Sequence, residues 1–208
     1  MKKSKRIKKS NSWKIKQHRD QFFKKSKTLG YRSRASFKLI ELNKKYKFLK
    51  RNTNLLDLGS FPGGWSQVAS QIIRAGRIMS IDIKNMEPIK DVRFFKGDIL
   101  SNETKSAVIK YFKSNLDVIL SDMAADTTGN KSLDSIRTNQ LCADVINFSK
   151  ETLKPKGVLV SKIFMGEDFL EVKNLAKSTF NKVNFFKPKS SRKESKETYL
   201  HCEILKTL

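Results

Sequence analysis

Metal and disulfide chemistry find little to work with in this chain, whose 208 residues include two cysteines and two histidines. Cys142 and Cys202 lie far apart, form no C-x-x-C and have no histidine at ligand spacing. A zinc module and a disulfide framework are thereby excluded, no metal site is expected, and the thiols read as reduced groups in a cytoplasmic setting. His18 and His201 are equally isolated and read as structural. Long apolar runs are missing too. No window approaches the roughly 18 consecutive apolar residues of a membrane span, and the lysine-rich start has no apolar signal core, so a soluble protein without a membrane partner is expected. A transit peptide would be arginine-rich where this start is lysine-rich.

Acids are the other shortage: 20 Asp and Glu stand against 44 Lys and Arg, a net charge of +24. Residues 1–50 carry 19 of the basic residues and only two acids, Asp20 and Glu41. That excess is more than solubility requires and points to a polyanion, nucleic acid before an anionic membrane surface or a merely solvated tail.

Residues 1–11, MKKSKRIKKSN, hold too few apolar groups to offset ordering entropy and read as a disordered basic arm. A single domain, 12–208, follows; its 38% hydrophobic content is enough for one core, and no internal repeat is visible. Its first part, 12–50, is a basic helical lead-in, with Phe22 and Phe23, then Phe37, Ile40, Glu41 and Lys44, at helical spacing on either side of a break at Gly30. Strands are then expected at 54–58, 77–82, 92–96, 116–121, 157–164, 182–186 and 198–205. Helices are expected near 64–75, 103–113, 134–152 and 167–179. This alternation predicts an α/β fold with a seven-stranded, mostly parallel sheet covered on both faces. The last strand follows its predecessor through KPKSSRKESKE alone, so it should run antiparallel.

Ligands of open α/β sheets sit beyond the C-terminal strand ends. Here the first turn reads Gly59-Ser60-Phe61-Pro62-Gly63-Gly64, which is neither a dinucleotide fingerprint nor a P-loop. Its glycines allow close backbone approach, Pro62 removes an amide donor, and Phe61 and Trp65 offer aromatic surface. A nucleoside with an apolar or sulfonium tail fits better than a pyrophosphate. Asp82 ends the second strand, where a carboxylate can accept both ribose hydroxyls, and Asp98 follows the third, placed to accept from an adenine amino group. Either acid alone reads equally well as a turn former or helix cap; together they describe an adenosyl site.

The order DLG-x-x-PGGWSQ, a strand-terminal Asp, GD, SDMA and KIF-x-GE, preceded by RSRASFKL (32–39) and followed by SSRKESKETY (190–199), resembles the FtsJ/RrmJ-type (RlmE family) ribosomal RNA 2′-O-methyltransferases over nearly the whole chain. The resemblance implies a Rossmann-like methyltransferase fold using S-adenosylmethionine (SAM) on large-subunit (23S) ribosomal RNA, with a uridine ribose as the expected target and a monomeric enzyme. It places a catalytic tetrad on Lys38, Asp122, Lys162 and Glu197, and SAM contacts on Gly63, Trp65, Asp82, Asp98 and Asp122. Where members of the family carry AAPGG and SDMAPN, this chain has SFPGG and SDMAAD. Phe61 therefore stands at the methionine end of the pocket, and Asp126 adds a carboxylate near the catalytic rim.

Methyl transfer to an alcohol is an in-line displacement, so oxygen, methyl and leaving sulfur must be held collinear. Lys162, set in the otherwise apolar VLVSKIF, is the cation expected in the crevice. It reads either as a general base, neutral only if desolvated or faced by another cation such as Lys38, or as a cationic orienter of the hydroxyl, the form favoured by Asp122 and Glu197. The basic stretches 24–38 and 187–196 would grip RNA phosphates, and Tyr31, Phe37 and Tyr199 read as core residues before base stackers. Two other readings stand beside this one. The same chemistry on transfer RNA or a messenger cap leaves the motifs unchanged, and a non-catalytic RNA-binding ribosome-assembly factor would share the fold without the reaction.

Overall fold

The alternating apolar runs resolve into one seven-stranded sheet. In the computed structural model the described residues are 20–206; the arm at 1–11, the start of the lead-in and His18 lie outside them. Helices α1 (Gln21–Thr28) and α2 (Ala35–Tyr46) lead into β1 (Leu55–Leu58), α3 (Gly64–Ile72), β2 (Ile78–Asp82), β3 (Val92–Lys96) and α4 (Asn102–Phe112). There follow β4 (Leu116–Ser121), α5 (Lys131–Thr152), β5 (Leu153–Phe164), α6 (Phe169–Thr179), β6 (Phe180–Phe186) and β7 (Glu197–Leu205). Strand order is β3-β2-β1-β4-β5-β7-β6. Strand β7 pairs antiparallel with both neighbours and the other pairs are parallel, as the short final connection requires. Gly30, at φ +70°, separates α1 from α2.

Strand β1 is buried along its whole length, as a central parallel strand covered on both faces must be. Side chains alternate across a strand, so Leu56 and Leu58 join Val108, Val145, Ile146 and Val172 in the core beneath α4, α5 and α6. Leu55 faces the other way, with Leu39 and Leu42 of α2 and Val68 of α3. Helix α5 begins three residues before its expected start because the Asn130 side chain caps it, accepting from the amides of Ser132 and Leu133. Strand β5 extends back to Leu153 through a register shift against β4 between Leu116 and Val118. Cys142 and Cys202 are both buried and free, and burial pushes the Cys142 thiol up to about 12. His201 is buried with its ring stacked on Tyr46, centroids 3.8 Å apart, and burial lowers it to about 4. No helix among the described residues is long and apolar enough to cross a membrane.

Asp57 shares the parity of Leu55 and points at α3. There Ser66 Oγ donates to its Oδ2 at 2.5 Å and lies 2.6 Å from Ser80 Oγ, while Oδ1 has no partner. Burial raises this carboxyl to about 7; the Ser66 hydrogen bond opposes the rise, and the charges of Asp122 and Asp82 add to it. The folded protein therefore holds a proton that the unfolded chain releases near pH 4, so this group's contribution falls as pH rises from there to about 7. Asp57→Asn keeps the neutral shape. It should raise stability at pH 8 by about 2–4 kcal/mol, with the gain fading towards pH 4, as read from urea unfolding at both pH values.

Candidate active site

The parity that aims Asp57 at α3 also gathers a charged cluster at the C-terminal rim of the sheet. Asp122 follows β4 in the phase of Val118 and Leu120, and Lys162 has the phase of Val160. Glu197 and Tyr199 sit two apart on β7, with Lys162 in register with Tyr199 and Phe164 with Glu197. All four face α2. That helix is docked by the complete burial of Leu39 and Leu42, each contributing about 1.5–3 kcal/mol, and it presents Lys38 to the start of β7.

Two ion pairs result. Lys162 Nζ lies 2.8 Å from Asp122 Oδ1 and donates to the Asp122 carbonyl at 2.7 Å. Lys38 Nζ spans both oxygens of Glu197, at 2.9 and 3.0 Å. Tyr199 joins them: its hydroxyl donates to Asp122 Oδ1 at 2.6 Å, and Lys38 Nζ stands 5.7 Å from its ring centre. Burial works to raise the Asp122 carboxyl, but the charges of Lys162 and Lys38 and the hydrogen bonds from Lys162 and Tyr199 outweigh it and hold the group below its ordinary value. Burial, then the Asp122 and Glu197 charges, push the Tyr199 phenol well above its usual range, so it remains a donor.

Beside this cluster a pocket of about 350 Å³ opens over the ends of β1, β2, β3 and β4, lined by Gly59, Phe61, Asp82, Asp98, Asp122 and Asp126 among others. Both Asp82 oxygens are fixed by backbone, Oδ2 accepting from the Phe61 amide and Oδ1 from the Lys84 amide, each at 2.8 Å. Each oxygen keeps a lone pair for an incoming hydroxyl. Asp98 Oδ1 accepts from the Leu100 amide at 3.0 Å. At Gly59 (φ +70°) a Cβ would stand 2.5 Å from Met123 Cγ, so only glycine lets the loop come so near the end of β4. Arg32 clamps the pocket's outer side, donating to the carbonyls of Pro62, Glu87 and Pro88. No group of three or more His, Cys, Asp or Glu among the described residues is arranged to hold a metal.

Gly63 and Trp65 do not line this pocket. Trp65 is buried, its indole N–H donating to the Ala35 carbonyl at 2.8 Å and its ring 5.5 Å from Tyr199. It braces α2 against the sheet through that hydrogen bond and ring contact. Gly63 (φ +104°) faces Ile89, Met86 and Arg32, where a Cβ would stand 2.9–3.0 Å away. Its role is to let the loop turn. Phe37 and Tyr199 are core residues, as the sequence pattern favoured.

The FtsJ-like methyltransferase profile matches residues 31–204. The chain belongs to the FtsJ-like methyltransferase family. It is 46% identical over 197 residues to ribosomal RNA large subunit methyltransferase E of Pelagibacter ubique (strain HTCC1062), covering 95% of this chain and 97% of that one. The namesake from Rickettsia bellii (strain RML369-C) is 42% identical, with 94% and 89% covered. Among solved structures, a ribosomal RNA methyltransferase of Plasmodium falciparum superposes with a TM-score of 0.75 at 33% identity, over 84% of this chain and 98% of that one. A Streptococcus mutans protein solved with S-adenosylhomocysteine, at 14% identity and a TM-score of 0.51, over 83% of this chain and 96% of that one, shares the fold alone. The donor of this methyltransferase is SAM, and a pocket with fixed acids at three strand ends suits its hydroxyls, amino groups and positive charge.

Sequence reading missed two parts of this FtsJ-like site. Tyr199 was legible from strand periodicity, since two residues after Glu197 it must share its face. The pinning of the β6–β7 loop was not. Glu41 accepts from the amides of Lys189 (2.6 Å) and Ser190 (3.0 Å), and Arg34 bridges Asp20 and the Ser190 carbonyl. The contacts to the loop join residues about 150 apart and leave no local trace.

Tyr199→Phe retains the ring against Trp65 but removes the donor to Asp122, and kcat should fall about ten-fold in single-turnover methylation. Asp82→Ala should weaken SAM binding at least about ten-fold by calorimetry, with an unchanged circular dichroism spectrum.

Proposed function

We propose that this chain transfers a methyl group from SAM to a ribose 2′-hydroxyl of large-subunit ribosomal RNA, acting as a monomer in the cytoplasm, with a uridine as the target nucleotide. The observation that carries this reading is the pair of ion pairs, Lys162–Asp122 and Lys38–Glu197, set at the mouth of an acid-lined pocket. A non-catalytic RNA-binding factor has no need to bury such a cluster, which costs desolvation and gives little stability. The ribosomal substrate is supported by the names of the relatives and by the basic surface, and transfer RNA or a messenger cap is the competing acceptor. Asp82 would accept from the SAM ribose, Asp98 from its adenine, and Asp122 would face its positive end.

When bound, SAM supplies a methyl group made electrophilic by the adjoining sulfonium. The remaining work falls to the chain. Two of the three Lys162 donors are taken by Asp122, leaving the third for the ribose oxygen. Held by the ion pair with Asp122, Lys162 fixes the hydroxyl with a lone pair aimed along the displacement axis. The new O–C bond forms as the methyl–sulfur bond breaks, and the hydroxyl proton, made strongly acidic by that bond, passes to solvent water at the open rim, while the sulfur departs as a neutral thioether. Lys38 and Glu197 form the second wall, and the lysines of 187–196 hold phosphates without reading sequence.

Lys162→Ala should lower kcat on large-subunit ribosomal RNA by at least about a hundred-fold with SAM binding retained, whereas Lys162→Arg, which keeps the charge, should recover part of the rate. An Arg variant as inactive as the Ala variant favours the general-base role, and an active Ala variant removes Lys162 from the chemistry. Mapping ribose methylation in ribosomal RNA, transfer RNA and capped messenger treated with the enzyme decides the acceptor.

A further inference from the structure

On the other side of the Lys38–Glu197 pair from the SAM pocket, a groove of about 710 Å³ opens between the start of α6, the end of β6 and the β6–β7 loop. Its floor is apolar. Met165 is half exposed, and the rings of Phe169 and Phe185 meet at 52° with centroids 5.1 Å apart. Its rim is basic on balance, with Lys187, Lys193 and Lys196 exposed against one exposed acid, Glu194, and Glu197 forms part of the wall. The wall is tied in place: Lys187 Nζ donates to the Ser195 carbonyl at 2.6 Å, and the Met165 amide donates to the Lys196 carbonyl at 3.0 Å.

We infer that this groove is a nucleobase subsite, which takes the base of an unpaired RNA residue next to the methylated ribose while Lys193 and Lys196 meet its phosphates. The inference rests on the reading of the chain as an RNA 2′-O-methyltransferase. An in-line displacement puts the attacking oxygen opposite the leaving sulfur. The donor pocket lies over β1 to β4 and the charged cluster over β4, β5 and β7, so the polynucleotide arrives from the β7–β6 side. The groove is on that side. The cluster faces α2 and the groove faces α6, so a strand crossing the rim at the Phe164–Glu197 pair lays one ribose on the first and the neighbouring base on the second. Thioether and aromatic surface accepts any base by stacking, and exposed ammonium groups at its edge suit a phosphodiester. The core position of Phe37 and Tyr199 leaves Met165, Phe169 and Phe185 as the stacking surface beside the catalytic rim.

The test uses the full chain and three variants, Met165→Glu, Lys196→Ala and, as a control in the first turn of α6, the exposed Leu170→Glu. Large-subunit ribosomal RNA serves as methyl acceptor, and a single-stranded RNA oligonucleotide carrying 2-aminopurine reports base stacking. Met165→Glu should lower kcat/KM for RNA at least about ten-fold and abolish the fluorescence quench, Lys196→Ala should lower it several-fold and flatten its salt dependence, and Leu170→Glu should stay within about two-fold of wild type. SAM affinity by calorimetry should not change in any of them. If Met165→Glu alters the circular dichroism spectrum, Met165→Ala takes its place. Wild-type kcat/KM and quench in the groove variants would overturn the inference, as would equal losses in the Leu170→Glu control. Absence of methyl transfer by the wild-type protein instead counts against the assigned reaction, because the quench reads the groove without it.

Discussion

The contact between Lys162 and Asp122 is the constraint around which the rest of the molecule is arranged. It sits at the ends of two adjacent parallel strands, with both side chains largely withdrawn from water. Two opposite charges in such a place are tolerated only if each also finds hydrogen bonds, and removing either leaves a costly uncompensated charge. Tyr199 and the Asp122 carbonyl supply those bonds. Tyr199 is held in turn by Trp65, Trp65 by the Ala35 carbonyl at the start of α2, and α2 carries Lys38. The lead-in helix, the glycine loop and the antiparallel strand are thus all tied to one ion pair. Asp122 also lines the pocket over β1 to β4, so that pocket and the charged cluster share a wall one residue thick.

Much of this was legible in the sequence, and the reason is periodicity. Buried parallel strands leave nearly continuous apolar runs, and β4 falls at 116–121 as the pattern places it. A lysine inside VLVSKIF stands out because nothing else in that run is charged. What stayed hidden depends on direction and distance. Trp65 lies in the motif that shapes the pocket, yet its ring turns to the opposite side, and a string of letters carries no sign for that choice. No letter near Asp57 sets it apart from other strand acids; only its burial beneath Ser66 and Ser80 raises its carboxyl to about 7. The grip of Glu41 on the loop amides joins parts of the chain that no local pattern connects.

The charge of the chain is unevenly used. Most lysines among the described residues are exposed, whereas the charged cluster at the sheet's rim is balanced, two lysines against two carboxylates. That division follows from dielectric. Exposed lysines interact with a polyanion over about a Debye length and are screened by salt, so they serve capture. Charges in a water-poor crevice act at contact distance and serve orientation. An enzyme working on a polyanion needs both, and here they occupy the same helix: Lys38 faces the crevice while Lys44 and Lys45 stay in solvent.

Glu197 and Tyr199 both come from β7, the last strand of the sheet, while Lys38 comes from a helix that precedes the first. During synthesis, therefore, the growing polypeptide possesses a glycine loop, both lysines and Asp122 long before it possesses the two side chains that organise them. A nascent chain still lacking its final strand leaves Asp122 without its phenol donor and Lys38 without its carboxylate. The full cluster of Lys38, Asp122, Lys162, Glu197 and Tyr199 can thus close only late, after translation has passed residue 199.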